Sequence, residues 1–299
     1  MSFLQTKLID WIPIDKLDWK ELSLNPNAIS ILEKNLDKVN WRELSKNSNA
    51  ISILEKNLDK VNWFELSANP NAIHMLEKNL KKINWPKLSA NPNAIHILEK
   101  KLKKVSWCAL TMNPGAINML EKNADKIVWK YLSLNPNAIH ILERNMDKVN
   151  WAYLSQNPNA VHILEENLDK VCWMRLSSNP NAIHIMENNM NKLEQLQIMM
   201  SSNPNAIHIL EQNPDVMILW HYLSGNPNAI RILEQNQNEV DWTKLSSNPN
   251  IFTTTYDFEA IRMNMYKPDG IGKELMEKMF HPINMSKWKS WGFGFDDDE

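Results

Sequence analysis

The chain has 299 residues, enough for one or two compact domains or one long repeat array. Its formal net charge of −2 gives no global pull toward nucleic acid or an anionic membrane surface. Two cysteines, Cys108 and Cys172, share no metal-ligand spacing and make no disulfide scaffold, which points to a reducing intracellular setting. No apolar run approaches the roughly 18–20 residues of a membrane span, and the first ten residues lack the apolar core of a secretion signal. The chain therefore reads as neither secreted nor membrane-spanning. Trp is frequent, at 13, and Gly is scarce, which disfavours a β-rich fold with many tight turns.

In chain order, residues 1–18 read as a degenerate half-repeat. Leu8-Ile-Asp-Trp-Ile-Pro13 leads into Asp15-Lys-Leu-Asp-Trp19, and its expected role is to cover the open apolar edge of an array. Residues 19–250 form the array. Trp recurs every 22 residues from Trp19 to Trp173 and returns at Trp220 and Trp242. An Asn-Pro-Asn-type triplet starts at eleven positions from Asn25 to Asn248.

One unit, Asn62 to Ile83, shows the logic. Asn62 caps a short helix that begins at Trp63, and Glu65 stands at the capping-box position. Trp63 and Leu66 share one face. Asn69 caps a second helix, with Pro70 at its first position, where a missing N–H costs nothing. Ala72, Ile73, Met75 and Leu76 give a buried stripe. Asn79 is expected to stop this helix in a left-handed conformation. Helices this short are marginal alone, so stacking must supply the stability. The expected fold is an all-α solenoid of about eleven two-helix repeats, a rod or arc of about 100 Å at ordinary helix spacing. The alternating Ala-Ile-His-Ile-Leu segment leaves a leucine-rich-repeat-like α/β solenoid as an alternative.

The repeat breaks its rule in places. Ser48 replaces the Pro and Gly115 the second Asn. Spacings of 24 and 23 around Asn203 predict a change of curvature near 190–220. Residues 251–299 leave the pattern and read as a C-terminal helical cap, with a helix near Lys273–Phe280 and an acidic tail, Asp296 to Glu299.

The Leu-Ser-x-Asn-Pro-Asn-Ala-Ile-x-x-Leu-Glu repeat, with Glu274-Leu-Met-Glu-Lys-Met-Phe-His-Pro282 and the Trp-Gly-Phe of 291–293, resembles uncharacterised repeat proteins of giant double-stranded DNA viruses of algae and protists. The resemblance implies a viral protein in a eukaryotic host, in the host cytoplasm or the virion, and implies no activity.

The candidate chemistry lies in ladders. His74, His96, His140, His162, His184 and His208 share one slot, filled elsewhere by Ser30, Ser52, Asn118 and Arg231. Stacked equivalents about 8–10 Å apart cannot share one ion, so a polar ladder or partner-contact stripe is expected, and no metal. Glu33 and its equivalents through Glu234 are expected to accept hydrogen bonds from a neighbouring repeat, from an Asn side chain or a helix N-terminus. Lys78, Lys81, Lys82, Lys87, Lys100, Lys101, Lys103 and Lys104 make the one strongly basic stretch, either solvated connectors or a contact for acidic protein or nucleic acid. The array Trp residues read as core, Trp288 and Trp291 as cap or partner anchor, and the two cysteines as buried. No phosphate loop, metalloprotease motif or nucleophile elbow is present. The expectation is a non-enzymatic scaffold without cofactor. It holds a host or viral protein partner as an adaptor, with a minor virion component and a nucleic-acid binder as alternatives.

Overall fold

The computed structural model describes residues 4–192, 200–212, 218–256, 258–265, 271–279 and 281. The chain divides into two compact units, Leu8–Phe252 and Met1–Lys7 with Thr253–Glu299.

The larger unit is built from two-helix repeats. In repeat 3 a short helix runs Trp63–Leu66, a 3-10 turn Pro70–Ala72, a second helix Ile73–Lys78 and a 3-10 turn Leu80–Lys82. The Asn62 carboxamide oxygen accepts from the Glu65 N–H, and the Asn69 oxygen accepts from the Asn71 N–H, so both caps are made. The segment that also fits a strand is helical in repeats 1 to 10, which excludes the leucine-rich-repeat alternative. Leu66, Ala72 and Leu76 are fully buried, as are their equivalents through the array. The array Trp residues pack against this core, and all but Trp173 remain partly exposed.

First helices pack side by side from repeat to repeat, as do the Pro-Asn-Ala turns, whereas second helices meet far less. Ala28 and Ser23, both fully buried, represent the small side chains that allow this close approach on one side only. Every joint therefore bends the same way.

The bend closes. Repeat 1 packs on repeat 11 through the contacts that join repeat 2 to repeat 1. Asn47 donates to the carbonyls of Ser23 and Asn25; Asn25 donates likewise to those of Ser246 and Asn248. The Asn40 N–H donates to Ser23 Oγ, and the Asp18 N–H to Ser246 Oγ. Lys38 covers the Trp19 ring, and Lys16 covers the Trp242 ring. The expected rod or arc is thus a closed ring, turning about 33° per repeat, because the rotation at each joint accumulates to a full circle over eleven units. A contour of about 100 Å becomes a circumference, roughly 30 Å across at the first-helix axes.

The eleventh repeat is shared between the chain ends. Residues 242–251 supply its first helix, Trp242–Ser246, and its Pro249–Ile251 turn. The chain then leaves as a strand, and residues 9–18 supply the remainder, including the 3-10 turn Ile14–Lys16 in the place of Leu80–Lys82. The Ile9 N–H donates to the Ile251 carbonyl, and Trp11 packs edge-on against Trp242. The half-repeat at 1–18 therefore completes a repeat and leaves no open edge to cover.

Strands β1 (Leu4–Leu8) and β2 (Phe252–Tyr256) form a two-stranded sheet. Helices Phe258–Met265 and Ile271–Met279 of the smaller unit follow. The expected change of curvature falls largely on 193–199 and 213–217, outside the described residues. Asn203 beyond the first gap still donates to the Ser177 and Asn179 carbonyls, at 2.9 and 3.1 Å, so the joint has the ordinary contacts.

Two local expectations are corrected. Asn79 is not left-handed, at φ −131 and ψ 42; its Nδ2 donates to the Met75 carbonyl and stops the helix by side-chain capping. The Asn62 N–H goes to Ser45 Oγ, so Glu65 does not close a reciprocal capping box.

Candidate functional site

Most polar ladders are consumed by the ring itself. Eleven triplet asparagines, Asn25 to Asn248, form a closed buried spine. Asn135 is typical: Nδ2 donates to the carbonyls of Thr111 and Asn113, and Oδ1 accepts from the Asn137 N–H. Burial without such partners would cost about 1–3 kcal/mol per group. The sequence shows these residues as helix caps, and their bridging role was not read from it. Ser23 and its equivalents relay the next joint, the hydroxyl donating to the Trp19 carbonyl and accepting from the Asn40 N–H.

The histidine and glutamate ladders are one structure. His74, His96, His140, His162, His184 and His208 each meet the glutamate of the preceding repeat, from Glu55 to Glu187, at 2.5–3.0 Å. Arg231 meets Glu211 in the same way. These seven of the ten ladder glutamates accept from a neighbouring repeat as expected, but from imidazole or guanidinium and not from an Asn or a helix end. Both partners are about half exposed, and such pairs contribute little stability. Among the described residues no group of three or more His, Cys, Asp or Glu is placed to hold a metal ion.

The lysine stretch divides. Lys82 and Lys104 lie over the rings of Trp63 and Trp85 at 4.4 and 4.8 Å, as Lys60, Lys148 and Lys170 lie over theirs. Lys87 joins Arg42 on the buried Glu65 carboxylate. Burial opposes ionisation of Glu65, but hydrogen bonds from Lys87 and Arg42 hold its carboxyl below the usual carboxylate range. Lys78, Lys81, Lys100, Lys101 and Lys103 remain exposed. Between repeats 3 and 4 a cleft of about 430 Å³ opens, lined by Leu80, Lys81, Trp85, Ile97, Lys100, Lys101 and Lys104, with the Glu77 and His96 pair.

A second surface was not read from the sequence. The slot directly after each array Trp is exposed on the first helix in all repeats but that of Ala152, and the repeats differ there and in the slot that follows. They hold exposed Phe64, Met174 and Tyr222, and a cluster in which Tyr153 packs edge-on against Tyr131 beneath Lys130 and Arg175. Cys108 occupies such a slot and is exposed; Cys172 stands at a helix cap and is half-buried. Neither is buried as expected, because neither replaces a core residue. Trp288 and Trp291 lie outside the described residues.

No helix among the described residues is long and apolar enough to cross a membrane. No protein-family model, curated protein or solved structure matches the chain.

Proposed function

We propose that this ring is a non-enzymatic scaffold that holds a protein partner on its outer surfaces. One observation carries the reading. The positions repeated from unit to unit serve the joints of the ring, while the slots the joints leave free hold diverse exposed aromatic, methionine and charged side chains. Fold constancy beside surface variety is the arrangement by which repeat proteins recognise other macromolecules. A closed ring presents that variety on a rigid frame, which lowers the ordering cost of association.

The resemblance to viral repeat proteins supports a host or viral protein as the partner, in an adaptor role. Crosslinking mass spectrometry in the native cell tests this. The expected result is a protein partner crosslinked to first-helix slots or the lysine-rich repeats. Recovery of no protein partner sinks the reading, and stoichiometric presence in purified particles would replace the adaptor by a virion component.

A further inference from the structure

The lysine-rich repeats depart from the rest of the ring in a way that the fold does not require. The slot after the connector Leu, Ala or Met holds Asp37, Asp59, Asp125, Asp147, Asp169 and Asn191, but Lys81 and Lys103 in repeats 3 and 4. The slot that ends the second helix holds an asparagine in eight described repeats, and each donates to the carbonyl four residues back at 2.8–2.9 Å. Lys101 stands there in repeat 4. Its backbone, φ −138 and ψ 42, matches that of Asn79, so only the side chain has changed and a helix cap has been given up. Two of these departures, Lys81 and Lys101, the second at a cost to the helix, add positive charge to one place.

That place is the cleft between repeats 3 and 4. Its floor is apolar, made by Leu80, Trp85 and Ile97, and Lys81, Lys100 and Lys101 stand on its rim. Its one carboxylate, Glu77, is engaged by His96 at 2.9 Å. Among the described residues none of these rim lysines makes an ion pair. The ring carries its own control. The equivalent cleft between repeats 5 and 6, about 370 Å³, has Ala124 in place of Leu80 and Asn145 in place of Lys101. It is followed by Asp125, where the basic cleft has Lys81.

We propose that the cleft between repeats 3 and 4 binds an acidic peptide segment of a protein partner, with one apolar side chain on the floor and carboxylates against Lys81, Lys100 and Lys101. The proposal rests on the scaffold reading and names its site and partner chemistry. The chemistry favours a peptide over a nucleic acid. Trp85 is packed on the core and already covered by Lys104, so no free aromatic face offers base stacking. The lysines that line this cleft stand around a compact apolar floor, which suits one apolar side chain flanked by carboxylates better than a run of phosphates.

The test uses the full-length protein and the double variant K81D/K101N, which installs the residues that other repeats carry in these slots. Three fluorescein-labelled probes of equal length serve: a glutamate peptide with one central leucine, an all-glutamate peptide, and oligothymidylate. The leucine-bearing peptide should bind the native ring, and the variant should lose about tenfold or more in affinity. The variant should melt no lower than the native protein, since K101N restores the helix cap that repeat 4 lacks. The all-glutamate peptide should bind several-fold more weakly than the leucine-bearing one. Absence of peptide binding, equal binding by the variant, equal binding of the two peptides, or tighter binding of oligothymidylate would overturn the proposal. Protein partners crosslinked to the native ring and fully retained by the variant would remove this site and leave the scaffold reading standing. Failure to find any partner on the native ring would remove both.

Discussion

Asn25 holds Asn248 across the seam of the ring. Its Nδ2 donates to the Asn248 carbonyl at 2.8 Å and to the Ser246 carbonyl at 3.0 Å, although more than two hundred residues separate them. The same bonds join Asn135 to Asn113 and Thr111 in mid-array. Asn25→Ala and Asn135→Ala should therefore destabilise the protein equally, each by about 2 kcal/mol or more, because each removes two buried amide hydrogen bonds and takes the side-chain acceptor from the Asn27 or Asn137 N–H, although the Asn248 and Asn113 carbonyls keep the Ile251 and Ala116 N–H groups. Urea unfolding measures this. A seam variant as stable as the native protein would mean an open array in solution.

The spine also makes a prediction about charge. Asn135→Asp keeps the acceptor for the Asn137 N–H but replaces the amide donor with oxygen facing two carbonyls. The buried carboxyl should therefore have a raised pKa. A raised folded-state pKa gives stability that is present below the unfolded value and lost as pH rises through the folded one. This variant should approach Asn135→Ala in stability near pH 4 and fall below it at neutral pH. Thermal melts across about pH 4–8 would decide, and a pH-independent difference would count against the donor role.

Glu65 should respond in the opposite sense. Its carboxyl is held below the usual range by Lys87 and Arg42, against the effect of burial. A depressed pKa gives stability that is present above the unfolded value, near 4.5, and lost as pH falls toward the folded one. Lys87→Ala should cost about 1.5–3 kcal/mol at neutral pH, the worth of a hydrogen bond to a charged group, and less in acid. A cost unchanged at pH 3 would show that the lysine acts by packing alone.

The imidazole rungs should matter little to stability. His140→Ala removes a half-exposed pair with Glu121 and should cost under about 1 kcal/mol. A loss near that of Asn135→Ala in the same denaturation experiment would refute this ranking of the ladders.

The two thiols should differ in rate. Cys108 is exposed on a first helix and Cys172 is half-buried at a cap. An aromatic disulfide reagent should label Cys108 first in the native protein, and mass spectrometry of partly labelled protein reads the order. Equal rates, or Cys172 first, would contradict the outward direction of the slot after Trp.

The repeat unit was legible because its signals are local. Asn62, Pro70 and the Leu66, Ala72 and Leu76 positions each act within a few residues, and their caps and burial follow. Closure was less legible, because it depends on a small rotation summed over eleven joints. One trace of it was present: Ile14-Asp-Lys-Leu-Asp-Trp19 is in phase with Leu36-Asp-Lys-Val-Asn-Trp41, and the final triplet lacks a second helix. Two incomplete ends make one whole unit. The union of the histidine and glutamate ladders also had a signal. Arg231 takes a histidine slot, a swap that keeps a donor opposite Glu211. The buried spine had none, since a capping asparagine and a bridging one look alike in one dimension.

Closure has a consequence for how such a protein can change through time. An open array can gain or lose a unit at its end and keep every remaining joint as it was. Here the first and last joints are the same joint, so a duplicated or deleted unit would have to alter the angle at all the others at once. The copy number is thereby locked, and novelty must come by substitution in outward slots such as those of Phe64, Tyr222 and Lys101.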